Sequence, residues 1–77
     1  MIINAVSPEE LLEKATELAK TDHNLDMMDR ITMLRGYLGL RTLDPENGNY
    51  RKNVEDAVAS LLQAAHEDDH WHPLLPE

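Results

Sequence analysis

The chain has 77 residues, a formal net charge of −8 and no cysteine. One small domain follows, with neither a disulfide framework nor a thiolate metal site. No stretch approaches the roughly 18 apolar residues of a membrane span, and the negative balance argues against general binding to nucleic-acid backbones, which rests on many Lys and Arg contacts.

The opening Met1-Ile2-Ile3-Asn4-Ala5-Val6 has no basic n-region and is too short for a signal peptide. With the absence of cysteine this leads us to expect a cytoplasmic protein with no membrane partner. There is no Phe, and the aromatics are Tyr37, Tyr50 and Trp71. The core must therefore come from Leu, Ile, Val, Met and Ala.

Ser7-Pro8-Glu9-Glu10 has the pattern of a capping box, with Ser7 as N-cap, Pro8 at N1 and Glu10 at N3. Val6 and Leu11 fall where a hydrophobic staple needs them. Leu11, Ala15 and Leu18 continue the apolar row, which predicts a helix over about 8–20. Thr21-Asp22-His23-Asn24 reads as a turn rich in potential N-caps. The row Met27, Ile31, Leu34, Leu38 then predicts a second helix over 25–38. Asp26, Asp29 and Arg35 suit its dipole. Gly36 lies inside it at a cost of about 1 kcal/mol relative to Ala, and Gly39 is the expected C-terminal stop. Asp44-Pro45-Glu46 can open a helical turn, and Asn47-Gly48-Asn49 can end one or form a tight turn. Val54, Val58, Leu61 and Ala65, widened by Ala57, Leu62 and Ala64, predict a third helix over 50–67. Ile31, Leu34, Val58 and Leu61 are the expected centre of the core.

The predicted fold is all-α. It is a small three-helix bundle, or a helical hairpin with an extra N-terminal helix, in one domain over 1–77. An apolar, proline-containing tail occupies 68–77. So short a chain buries a modest fraction of its surface, and self-association is the expected remedy.

The charge is segregated along the chain. Residues 1–29 sum to −5, residues 30–54 to +3 and residues 55–77 to −6. A basic waist between acidic ends points to an oriented electrostatic contact. Glu9, Glu13 and Glu17 recur at one-turn spacing on one face of the first helix. Asp68 and Asp69 add charge in the tail. Trp71, with Leu74 and Leu75, either folds back to cap the core or anchors a partner, since Trp is enriched at interface hot spots.

These residues suggest a non-catalytic protein that binds another protein with a basic surface and inhibits or modulates it, in the sharpest form as a nucleic-acid mimic. Phage anti-defence proteins, antitoxins and immunity proteins are similar in size and charge, an analogy of class only. The alternative is a dimer that sequesters an anionic nucleotide. Arg51, Lys52 and the Asn47–Asn49 backbone would hold the anion at a helix N-terminus, Tyr50 would stack on the base, and Arg41 would stand across the connection. The plainer reading pairs Arg51 with Glu55 and Lys52 with Asp56 on a solvated face.

His66-Glu67-Asp68-Asp69-His70 matches the H-E-x-x-H spacing of zinc hydrolases. Both intervening residues are charged, and little chain follows to build a cleft. A solvated helix end is the preferred reading, with metal binding by His66, His70, His72 and Asp69 as a weaker one. Glu10, Glu13, Asp26 and Asp29 have the spacing of Mg²⁺-binding helix pairs, yet acids also gather in first turns for dipole reasons alone. No nucleophile setting or phosphate loop is present, and no cofactor is implied.

Overall fold

The computed structural model describes residues 7–75. It contains α1 (Pro8–Ala19), α2 (Leu25–Leu43), α3 (Gly48–His66) and a 3-10 helix (Asp69–Leu74). Among the described residues there is no strand, and no helix is long and apolar enough to cross a membrane. The all-α expectation therefore stands.

Each helix starts on a side-chain acceptor that satisfies first-turn N–H groups. Ser7 Oγ accepts from the Glu10 N–H at 3.4 Å. The Ser7 hydroxyl donates to the Glu9 carboxylate at 3.2 Å. Val6, the other half of the expected staple, lies outside the described residues. Asn24 starts α2, its Oδ1 accepting from the Met27 N–H at 3.2 Å. Asn47 starts α3, taking the N–H groups of Asn49 at 2.9 Å and Tyr50 at 3.2 Å.

Two boundaries differ from the sequence expectation. Gly39 does not stop α2, which runs on to Leu43. No described glycine has a positive φ; Gly39 stays right-handed, and the good helix formers Leu40 and Arg41 carry the helix onward. The terminator is Pro45, whose ring disfavours a helical conformation at the residue before it. Asp44 accordingly sits at φ −140°, ψ 75°. The third helix starts two residues earlier than expected, because Asn47-Gly48-Asn49 is a cap and first turn and not a tight turn.

The core takes Leu11 and Ala15 from α1, Met27, Ile31, Leu34 and Leu38 from α2, and Val54, Ala57, Leu61 and Ala65 from α3. Trp71 and Leu74 of the 3-10 helix complete it. The α2 row is buried as predicted. On α3 Ala57 is buried with Val54, Leu61 and Ala65, while Val58 is only partly buried at the margin of the core. The seam therefore runs slightly to one side of the row read from the sequence. Leu18 is likewise partly buried.

The chain runs up α1, down α2 and up α3, and then returns across the end of the bundle. Trp71 is fully buried, and its indole N–H donates to Asp22 Oδ2 at 2.6 Å. Asp68 caps the 3-10 helix through the His70 N–H at 3.1 Å and accepts from Asn24 Nδ2 at 3.4 Å. Both contacts join the tail to the α1–α2 turn. The Cα extents are 36 × 35 × 17 Å, a slab about two helices thick.

Candidate functional site: two poles of the bundle

The topology sorts the charges into two poles. One pole holds the α1–α2 turn, the start of α2, the end of α3 and the 3-10 helix. Within residues 20–30 and 61–75 it carries Asp22, Asp26, Asp29, Glu67, Asp68 and Asp69 against Lys20 and Arg30. The acidic N-terminal third and the acidic tail, far apart in sequence, thus meet at the Asp22–Trp71 contact. All four histidines lie at this pole as well.

These carboxylates differ in how far they are engaged. Asp22 accepts the Trp71 indole N–H, and Asp68 is an exacting cap, so both serve the fold. Asp26 pairs with Arg30 Nε at 3.1 Å. Arg30 also reaches α3, donating through Nη1 to the Ser60 carbonyl at 3.2 Å and to the Ser60 hydroxyl. Asp29, Glu67 and Asp69 are exposed. Asp69 has the ring of His72 beside it at 3.5 Å.

The carboxylate row on α1 is split. Glu13 is exposed. Glu17 pairs with Lys20 at 3.3 Å. Glu9 stands at the opposite pole, where it pairs with Arg41. Its carboxyl is held below the usual value, first by its backbone N–H and, against the opposing effect of burial, by the Ser7 hydroxyl and the Arg41 guanidinium. Trp71 belongs to the core and presents no ring to a partner. The fold-back reading of the tail is the one the structure adopts.

The opposite pole gathers part of the basic waist. Arg41 and Arg51 line one groove of about 440 Å³, whose apolar side is Val54, Val58 and Leu62, with Pro8 and Glu55 at its edges. Tyr50 and Lys52 are not part of this lining. The reason is geometric: consecutive helical residues point about 100° apart, so Tyr50, Arg51 and Lys52 fan around α3. The expected pairs Arg51–Glu55 and Lys52–Asp56 are not formed, and among the described residues neither cation has a carboxylate within 4.0 Å.

The H-E-x-x-H residues do not share one helix. Helix α3 ends at His66, and His70 lies in the 3-10 helix, so the two rings do not stack on one helical face. The His70 ring instead packs edge-on near Trp71, with centroids 6.2 Å apart. His72 Nε2 is 3.1 Å from the His66 carbonyl oxygen. Among the described residues no group of three or more His, Asp or Glu side chains is placed to hold a metal ion. That includes Glu10, Glu13, Asp26 and Asp29.

No family model matches this chain, and neither a curated protein nor a solved structure is similar to it.

Proposed function

We propose that the protein is a non-catalytic binding module whose acidic pole docks on a basic surface of another protein and modulates it. The observation that supports this reading is the meeting of both acidic chain segments at one pole through the Asp22–Trp71 hydrogen bond. A pole with low internal pairing at Asp29, Glu67 and Asp69, flanked by Glu13 on α1, steers association toward positive charge. Glu9, Glu17 and Asp68, engaged within the fold, contribute less. Blocking the nucleic-acid groove of a nuclease is the sharpest form of this role. Self-association belongs to the same proposal.

The test is capture from a native lysate by the wild-type protein and by a Glu13→Lys, Glu67→Lys, Asp69→Lys variant. A specific partner should be lost from the variant and released as salt rises, because exposed charges are screened beyond about 10 Å at 0.1 M. A partner indifferent to both would refute the acidic-pole reading.

A second reading is favoured by one observation: Arg41 and Arg51 share a largely apolar groove. Such a groove suits an anion with an apolar body, a nucleotide among them. Calorimetric titration with a nucleoside triphosphate, against an Arg51→Glu control, decides between the two. Saturable binding that the substitution abolishes would move the function to this pole.

A further inference from the structure

Five large apolar side chains are exposed among the described residues, and all five lie on α2: Leu25, Met28, Met33, Leu40 and Leu43. Leu25 is 74% and Leu43 83% exposed. The inner face of α2 already supplies Met27, Ile31, Leu34 and Leu38 to the core. Helix α2 is therefore apolar on two opposite sides. A helix that is apolar beyond its core stripe has a second surface to cover.

The outer face also carries Gly36 and Gly39. Both lie in regular helix with no positive φ, and a Cβ built on either would meet nothing within 4 Å. Neither backbone conformation nor packing inside the chain calls for glycine there. A close approach by a helix from outside does.

The pattern identifies that helix. Leu25 and Leu43 stand nine positions on either side of Leu34, Met28 and Leu40 six, and Thr32 and Gly36 two. On a helical projection Leu25, Thr32, Gly36, Gly39 and Leu43 share one stripe. Reversed end for end, leucine meets leucine at both ends, Met28 meets Leu40, the narrow Thr32–Gly36 stretch meets its own copy, and Gly39 leaves room for the exposed Asp29. Self-complementarity of this kind is the requirement of a two-fold contact. Charge agrees with the antiparallel sense. The first half of α2 carries Asp26, Asp29 and Arg30 and the second Arg35 and Arg41; Arg30 is already on Asp26 and Arg41 on Glu9, so Asp29 and Arg35 are the charges without an ion-pair partner among the described residues. An antiparallel pair sets unlike halves and opposed helix dipoles together, whereas a parallel pair stacks like on like.

We infer that the outer face of α2 is the contact with a second copy of this chain, packed antiparallel about a two-fold axis near Leu34, with Gly36 and Gly39 at the closest approach. The inference rests on the proposed self-association; its contact takes in Leu25, Met28 and Asp29 at the start of α2, while Glu67 and Asp69 of the acidic pole lie off this helix.

Sedimentation equilibrium at micromolar concentration should give twice the 8.8 kDa of one chain. A Leu40→Glu, Leu43→Glu variant should sediment at half the wild-type mass with unchanged helical circular dichroism. A wild-type protein at 8.8 kDa would overturn both the self-association and its surface. A variant that stays dimeric would overturn the surface alone. The sense of packing is read by cross-linking, since the chain has no cysteine of its own. A mixture of Leu25→Cys and Leu43→Cys chains should form a mixed disulfide on mild oxidation, and Leu25→Cys alone should form none. In the antiparallel pair the two Leu25 positions lie about 27 Å apart along the axis, beyond the reach of a disulfide. Ready self-cross-linking of Leu25→Cys would overturn the antiparallel contact. That readout holds even if the glutamate variant unfolds.

Discussion

The two poles of this bundle are closed by different physics. At the acidic pole a fully buried Trp71 is fastened to Asp22, and Asp68 ties the tail to Asn24. At the opposite pole, beside the buried Leu11, Leu38 and Val54, the side-chain ion pair across the helices is Glu9–Arg41, whose carboxylate side chain is 61% exposed. Desolvated packing with a satisfied indole N–H is worth several kcal/mol, whereas an exposed pair is worth at most about 1 kcal/mol. The polar contact that closes the acidic pole is thus the stronger of the two, although that pole's net charge repels itself. A binding surface of fixed geometry is more readily built on the first.

Substitutions at the two poles should separate in that order. Trp71→Ala should cost about 3–5 kcal/mol, a large share of the 5–15 kcal/mol typical of a small domain. Chemical denaturation giving less than 1 kcal/mol would show that the tail is not part of the cooperative unit. Leu61→Ala, fully buried in α3, should cost about 2–5 kcal/mol and serves as the reference for the shared core. Asp22→Ala removes the acceptor of a buried indole N–H and should cost about 1–3 kcal/mol. A double-mutant cycle with Trp71→Phe should show coupling between the two sites.

At the other pole the effects should be smaller. Asn47→Ala removes the acceptor for two N–H groups of α3 and should cost about 1 kcal/mol by thermal or chemical unfolding. The Glu9–Arg41 contact should register least. The folded carboxyl titrates below its unfolded value, so its contribution is fully present above the unfolded pKa and is lost as pH falls through the folded one. Glu9→Gln should remove a few tenths of a kcal/mol, about what a surface pair contributes, from the difference in stability between pH 7 and the acid limb. A larger loss than that of Asp22→Ala would invert the comparison between the poles.

Much of this fold is legible in the chain because it is decided locally. Caps at Ser7 and Asn24, the α2 row and the two acidic chain segments depend on spacing within a turn or two, where 3.6-residue periodicity and first-turn hydrogen bonds act. The end of α2 was readable too, but in Pro45 and not in Gly39: a glycine permits a stop, while a proline imposes one on the residue before it. What tertiary structure alone decided is which distant groups meet. Asp22 and Trp71 are 49 positions apart, and only the up-down-up path of the helices joins them. Trp71 in the apolar tail did carry a signal, since a buried indole N–H needs an acceptor, but not the address of that acceptor. The same path brought Arg41 of α2 and Arg51 of α3 to one groove and set Arg41 against Glu9 of α1. Periodicity determines which side of a helix a residue occupies; the pole and neighbours it meets are set by long-range packing, which no local pattern encodes.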